Sequence, residues 1–151
     1  MTHELRFVVI ARPQPKGSTR AFIPKGWTRA IVTSDNPKNK GWQQMIAECA
    51  ALELQRPGCE PFGSGPVVLT ARFHLPRPKA LQTKAKALRD FPHTKKPDLD
   101  KLTRAVKDAL TGVVWTDDSQ VVELHATKHY CAAGMFPRAE IAIQESQEDS
   151  L

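Results

Sequence analysis

The order in which short apolar runs alternate with helical patterns is the feature that most limits the folds open to this chain. Residues 5–11 and 67–75 are apolar runs with β-branched side chains, which favour buried strands. Residues 121–130 alternate apolar and polar side chains, and 138–144 has the pattern of a last strand. Two helical patterns separate the first three runs, which gives the order β-α-β-α-β-β. We therefore expect a small α+β fold with a mixed β-sheet and two main helices.

The first helical pattern begins with Asn36 as a predicted N-cap and Pro37 at the first helical position. Its expected buried face consists of Trp42, Met45, Ile46 and Cys49. The stretch before it, residues 13–26, is rich in Pro and Gly and is expected to be a loop. A short helix is also expected near residues 80–89.

The second helix is predicted over residues 101–111, with Asp100 as its N-cap and Gly112 as its stop. Its apolar stripe is formed by Leu102, Val106, Ala109 and Leu110. The alternation of the strand that follows places Val122, Leu124 and Ala126 on one face. Glu123, His125, Thr127 and His129 lie on the other face, which we expect to be polar and partly exposed.

Composition limits the kind of protein more than the kind of activity. A length of 151 residues suits a single domain, 1–151, with an acidic tail at 145–151 that is expected to fray. The net charge of +6 favours a polyanionic partner. Three cysteines without a CxxC spacing indicate neither a disulfide framework nor a Cys-rich zinc site, so we expect a cytoplasmic protein. The sequence also lacks a signal-peptide pattern and a membrane-spanning apolar run.

Basic residues concentrate in two segments. The first is the loop at 13–26, where Lys16 and Arg20 lie among stacking side chains that suit a nucleic-acid backbone. The second, 77–96, ends in Lys95 and Lys96, immediately before an acidic motif. Either segment is also compatible with an ordinary solvated surface. The adjacency to the acidic motif favours phosphate contact for the second segment.

The acidic motif is Asp98-Leu99-Asp100, placed directly before the second helix. Two carboxylates at this spacing can share a hard, oxygen-seeking cation such as Mg²⁺. Asp117 and Asp118 form a second acidic pair before the third main strand, and if that strand lies beside the motif, the carboxylates converge. Like charges at close range commonly recruit a divalent metal. The alternative is that one aspartate caps the helix and the other is a surface charge.

The segment KKPDLDKLTRAVKDALTGVVWTDDSQVVEL resembles the signature region of the RusA family of crossover-junction endodeoxyribonucleases. More loosely, RPQPKGSTR is similar to the basic turn after the first strand in that family. The resemblance implies metal-binding, catalytic carboxylates at Asp98, Asp100 and Asp118. It also implies a Mg²⁺-dependent nuclease, with Mn²⁺ as a substitute, that acts as a homodimer on four-way DNA junctions in recombination and repair. Because that family is common in prophages, the resemblance also suggests a phage-derived role in recombination or repair.

Two positions depart from the family pattern. Lys101 replaces a common Asn after the second Asp of the motif, and it joins the predicted DNA-contacting residues. Arg104 replaces the catalytic lysine, so the charge is kept while its shape changes. Asp117 and Asp108 also match family acids. We expect Asp117 to orient its turn and Asp108 to pair with Arg104 on one helical face.

Other functions remain open at this stage. Glu123, His125 and His129 on one strand face make a transition-metal site conceivable, although no converging third ligand is evident. A DNA-binding protein without nuclease activity would use the basic surface alone. A phosphohydrolase of small nucleotides would use the same acids, but it would not need so many basic residues.

Overall fold

The computed structural model describes residues 3–17, 19–23, 25–26, 28, 31–34, 38–83, 86–87 and 89–147. For residues 19–22 and 31–34 it describes the backbone alone. The elements are, in chain order, β1 (Glu4–Val9), β2 (Thr19–Phe22), β3 (Ile31–Ser34), α1 (Lys38–Leu54), β4 (Val67–Leu75), α2 (Leu99–Leu110), β5 (Val121–Tyr130) and β6 (Arg138–Glu145). Short 3₁₀ turns occur at Lys79–Leu81 and Asp118–Gln120.

Four strands form a mixed sheet in the order β1-β6-β4-β5. β4 and β5 are parallel, and α2 connects them, whereas β6 is antiparallel to both β1 and β4. This arrangement confirms the predicted α+β fold and the order of its main elements. It leaves β5 at one edge of the sheet, immediately beside the helix that precedes it in the chain.

Both helices contribute to one hydrophobic core on a single face of the sheet. Alternate residues of β4, from Val67 to Leu75, are buried, and the Trp42 ring of α1 lies 6.1 Å from that of Phe73. The predicted stripe of α2 is confirmed, since Leu102, Val106 and Leu110 are fully buried. The opposite face of the sheet carries polar side chains, in keeping with the half-polar alternation of its strands.

The predicted loop at 13–26 is wrong in part, because its middle forms β2, which pairs with β3 in a separate antiparallel hairpin. In that hairpin, the backbone of Arg20 pairs with Thr33. Four-residue strands are too short to show a clear alternation beside Pro and Gly. The predicted cap residues Asn36 and Pro37 lie outside the described residues.

The burial of α1 differs from the prediction at two positions. Trp42 and Ile46 are buried as expected, but Met45 is 41% exposed and Cys49 is only partly buried. The buried face instead includes the polar Asn39, whose amide Nδ2 donates to the carbonyl of Gln14 at 3.1 Å. The buried face of α1 is therefore rotated about the helix axis relative to the face that the apolar residues predicted.

The prediction that Asp100 caps α2 is wrong, since the helix begins at Leu99 and Asp98 occupies the N-cap position. The backbone N–H of Leu102 donates to the Asp98 carbonyl at 3.2 Å. Leu99 packs against the core, which favours helical geometry earlier than the cap pattern suggested. Asp100 is thus a helical residue, and its side chain is not needed as a cap.

The face of β5 that carries Val122 and Leu124 is not covered by the helices. These side chains are 60% and 46% exposed. A register shift between β4 and β5 leaves Val122 without a partner, and Val121 packs against the core in its place, so the predicted alternation is interrupted at the start of β5. β5 is an edge strand, and the helix layer does not reach across its first half. Leu124 therefore borders a groove beside α2 and does not join the core.

The segment after β4 is organised by a buried guanidinium rather than by the short helix predicted near 80–89. Its described part contains the 3₁₀ turn Lys79–Leu81. Arg77 is only 8% exposed, and it donates hydrogen bonds to the carbonyls of Leu81, Lys86 and Arg89 at 2.7 to 2.8 Å. One side chain therefore holds three points of this segment together.

The first residues of the predicted frayed tail are ordered by backbone hydrogen bonds. Glu145 ends β6 and its N–H donates to the His3 carbonyl, while the N–H of Ser146 donates to the Pro66 carbonyl at 2.9 Å. Residues 148–151 lie outside the described part. Across that described part, none of the helices has the length and apolar character needed to cross a membrane.

Candidate active site

One face of α2 is polar and borders a groove of about 710 Å³ between the helix and β5. Asp100, Arg104 and Asp108 lie on this face at successive turns, because residues four apart on a helix are neighbours. Asp118 lines the same groove from the turn before β5, and the side chains of Leu124 and Ala126 complete it. The buried stripe of α2 holds the helix on the core while its outer face carries these charges.

The turn that places Asp118 is fixed by a capping box. The Asp117 carboxylate accepts a hydrogen bond from the N–H of Ser119 at 2.8 Å, and the Gln120 side chain accepts one from the N–H of Asp117 at 2.9 Å. Gln120 also donates to the carbonyls of Gly63 and Gly65, both at 2.9 Å. The turn is therefore tied to the loop before β4, and Asp118 is directed towards the groove.

Asp117 has the orienting role that the sequence predicted. Hydrogen bonds from the backbone and side chain of Ser119 lower the pKa of its carboxyl group below the usual value of 3.8. These bonds stabilise the charged form of the carboxylate. Asp117 is consequently engaged within its own turn.

Asp98 lies in a neighbouring cavity of about 380 Å³ and not in the α2–β5 groove. That cavity is basic, with lining side chains that include Arg12, Lys38, Lys96 and Lys101. The Lys101 ammonium lies 3.9 Å from the Asp98 carboxylate. As the side chain of Asp98 makes no capping bond to the helix, its carboxylate is open to a ligand at this cavity.

The backbone before α2 is held by a lysine that the sequence patterns did not single out. Lys128 of β5 donates from Nζ to the carbonyl of Lys95 at 2.6 Å and to that of Pro97 at 2.9 Å. It shares the strand face of Leu124 and Ala126. Lys128 lies near the end of β5, beside the start of α2. Its role could be recognised only from the topology of the sheet and not from the sequence.

The predicted metal ligands Asp98, Asp100 and Asp118 are carboxylates, which suit a hard cation, but they are divided between two cavities. In the described part of the chain, no three His, Cys, Asp or Glu side chains are grouped so as to hold one metal ion. The groove itself offers Asp100 and Asp118. Mg²⁺ is commonly bound through one or two protein carboxylates together with water and substrate phosphate. These two residues therefore fit a magnesium ion of that open type.

Asp108 pairs with Lys16 and not with Arg104, contrary to the prediction. The loop that carries Lys16 lies along α2, where the Lys16 N–H donates to the Lys101 carbonyl at 3.1 Å. Within the described residues, Arg104 makes no hydrogen bond or ion pair of its own, and it is exposed at the groove. The loop contact thus neutralises one acid of the groove and leaves the guanidinium available.

Three of the residues predicted to contact DNA lie next to Asp98, at the start of α2. Lys95 and Lys96 are exposed just before Asp98, and Lys101 is half-buried beside it. Lys16 is committed to its ion pair with Asp108. Only the backbone of Arg20 is described, in β2.

Glu123 and His125 lie on the outer face of the sheet, away from the α2–β5 groove. Their side chains contact each other at 2.7 Å, and both are exposed. His129 contacts Thr127 at 2.9 Å. The polar, partly exposed face predicted for this strand is confirmed, and no third ligand joins these side chains among the residues described.

The capping box was a missed sequence signal, since Asp117 followed three residues later by Gln120 is a recognisable start of a helical turn. The pairing of Lys16 with Asp108 had no comparable signal. It joins residues 92 positions apart, and it depends on the path of the loop after β1.

Comparison with known proteins assigns the chain to a class of nucleases. The family model described as endodeoxyribonuclease RusA matches residues 12–144, which is most of the chain. The uncharacterized protein YqaN of Bacillus subtilis (strain 168) is 34% identical over 146 residues, covering 93% of this chain and 96% of the relative. This chain belongs to the RusA endodeoxyribonuclease family. The family indicates endodeoxyribonuclease activity on DNA junctions.

Proposed function

We propose that this protein is a Mg²⁺-dependent endonuclease that resolves four-way DNA junctions by paired nicks, as a homodimer, during recombination and repair. The observation that carries the proposal is the groove in which Asp100 and Asp118 face an unpaired Arg104 in a RusA-family chain. Two carboxylates and one fixed cation are the groups needed to hold a metal and to receive a phosphate.

The proposed roles follow from the positions of the side chains. Asp100 and Asp118 hold the ion in the groove, and the family pattern adds Asp98 as a third ligand from the neighbouring cavity. When bound, Mg²⁺, or Mn²⁺ in its place, supplies an activated water and neutralises charge on the scissile phosphate. Arg104 donates to the phosphate oxygens as negative charge develops, and loss of the 3′ oxygen leaves a 5′-phosphate end.

Exposed lysines around the motif are proposed to grip the arms of the junction. Lys96 and Lys101 line the cavity that contains Asp98, and Lys95 directly precedes Lys96. The loop that carries Lys16 lies along α2, and Arg20 follows that loop in β2. Contacts to phosphates fix position without reading bases, so binding should depend mainly on the shape of the junction.

The test uses Asp100→Asn and Asp118→Asn, with Glu48→Gln on the exposed face of α1 as a matched control. A synthetic four-way junction is incubated with each variant, with and without Mg²⁺. We expect both Asn variants to lose cleavage while binding is kept or slightly tightened, because each removes metal affinity and also a repulsion towards phosphate. The control should cut at the wild-type rate.

Other outcomes would contradict the proposal. Cleavage at the wild-type rate by either Asn variant would remove that residue from the site. Junction binding by the wild type without cutting, at any Mg²⁺ or Mn²⁺ concentration, would indicate a DNA-binding protein. Hydrolysis of nucleotides without cleavage of junctions would indicate a phosphohydrolase.

A further inference from the structure

A second basic groove lies on the face of the sheet that the helices do not cover. Its volume is about 410 Å³, and its lining includes Arg72, Arg77, Arg89 and Arg138. Arg72 comes from β4 and Arg138 from β6, while the segment after β4 supplies Arg77 and Arg89. None of these four residues lines the α2–β5 groove.

The register of the sheet places the side chains at the base of this groove next to one another. Arg138, His74 and His129 lie in one row across β6, β4 and β5. The rings of His74 and His129 are stacked with centroids 5.6 Å apart. The next row contains Glu140, Arg72 and Thr127. Polar side chains from three strands therefore converge at one end of the sheet.

Most of the charges in this groove already have partners, with one exception. Arg77 is bonded to three carbonyls, and Arg89 lies over the Phe91 ring with 5.2 Å between guanidinium carbon and ring centroid. Arg138 donates to Glu140 at 3.1 Å. Arg72 is exposed and makes no ion pair or hydrogen bond to any residue that the structure describes. Among the described arginines that line this groove, Arg72 is the one whose guanidinium has neither a hydrogen bond, an ion pair nor a ring contact.

The balance of charge favours an anion. Four guanidinium groups face two carboxylates, those of Asp90 at the groove and of Glu140 beside it. Burial and the nearby Arg138 lower the pKa of His74, so its ring contributes no positive charge at neutral pH. The attraction for an anion therefore depends on the arginines, whose guanidinium geometry matches phosphate oxygens.

We propose that this groove is a second binding site for the phosphodiester backbone of DNA, separate from the catalytic groove, with Arg72 as its main phosphate contact. The inference rests on the proposed function, because a branched substrate has arms that extend beyond the cleavage point. An arm passing over the outer face of the sheet meets an unpaired guanidinium within a groove whose other arginines are already held in place.

The experiment compares Arg72→Gln with Arg56→Gln, which removes the same charge from an exposed arginine just beyond α1. Affinity for a four-way junction is measured over a range of salt concentrations. For one lost phosphate contact, the slope of log K against log salt should become shallower by roughly 0.9, and affinity should fall about threefold or more at low salt. Arg56→Gln should match the wild type.

Further variants keep the result unambiguous. Arg72→Lys should recover the wild-type salt slope, and thermal unfolding of all variants should be alike, since Arg72 makes no contact that the fold requires. Equal salt slopes for Arg72→Gln, Arg56→Gln and the wild type would overturn the second site while leaving the nuclease intact. Normal junction binding by a wild type that never cuts would overturn the nuclease and leave the second site standing.

Discussion

At the scale of single residues, the free guanidinium of Arg104 is the most consequential feature of the groove. The carboxylate that could have neutralised it, on Asp108, is taken by Lys16 from the loop after β1. Because Asp100 lies one turn before Arg104 on the same face of α2, the two project towards the same region of the groove. Under the proposed function, a cation there would be placed to act on a phosphate beside the metal ion that the two aspartates would hold.

Arg104→Ala is predicted to slow junction cleavage by about 10² to 10³, as for loss of one preorganised donor to the transition state. Binding should weaken much less. Arg104→Lys should restore most of the rate, since the family pattern has lysine at this position and a fixed positive charge would be the essential property. Single-turnover rates at saturating protein and Mg²⁺ measure these effects, with Arg56→Ala as the control for charge. Near-normal cleavage by Arg104→Ala would mean that the residue is only a surface cation.

At the scale of elements, the capping box between Asp117 and Gln120 is the device that sets Asp118 in place. Its contribution to stability depends on pH. Since the pKa of Asp117 is lowered on folding, the contribution of its charge is complete above the unfolded value of 3.8 and is lost as pH falls through the folded value.

Asp117→Asn tests this, because the amide oxygen can still accept the Ser119 bond while the charge is removed. The wild type is predicted to melt at a higher temperature than Asp117→Asn near pH 6. The difference should begin to shrink as pH falls below 3.8 and should vanish below the lowered folded pKa. Thermal unfolding followed by circular dichroism from pH 7 to strongly acidic pH provides the measurement. A difference that persists unchanged in acid would show that the charge has no part in it.

The elements that could be predicted from sequence are those whose pattern is long and continuous. The bounds of β4 and β5 agree with the prediction, and α2 begins two residues earlier and ends one residue earlier than predicted. These elements could be located because each has nine or more residues. The hairpin of β2 and β3 was missed, since four-residue strands carry little periodicity. Which face of β5 is covered could not be predicted either, because coverage depends on where the helix layer ends.

The residues of the candidate site also differ in how far their positions could be predicted from the sequence. Asp100, Arg104 and Asp108 share a face because of spacing within one helix, which the sequence shows directly. Asp118 joins them because β5 pairs in parallel with β4 and lies beside α2, whereas the sequence left it only as a condition that this strand should lie beside the acidic motif. The separation of Asp98 into another cavity and the partner of Asp108 depend on the path of loops, for which the sequence has no periodic signal.

At the scale of the whole molecule, two nicks across a symmetric junction need two active sites related by a two-fold axis. Sedimentation is therefore predicted to find a dimer at micromolar concentration. Dimers that combine one wild-type and one Asp118→Asn subunit should nick one strand only, so junctions with a single nick should accumulate when the variant is in excess. Full paired cleavage by a protein that sediments only as a monomer would contradict this prediction.

The manner in which Arg77 holds the segment after β4 bears on how that segment can change over evolutionary time. Its three acceptors are backbone carbonyls, which every amino acid possesses. Side chains at Leu81, Lys86 and Arg89 can therefore be replaced without loss of the bonds that shape the segment. Its surface side chains can therefore change while these three attachment points stay fixed, provided that one buried arginine is retained.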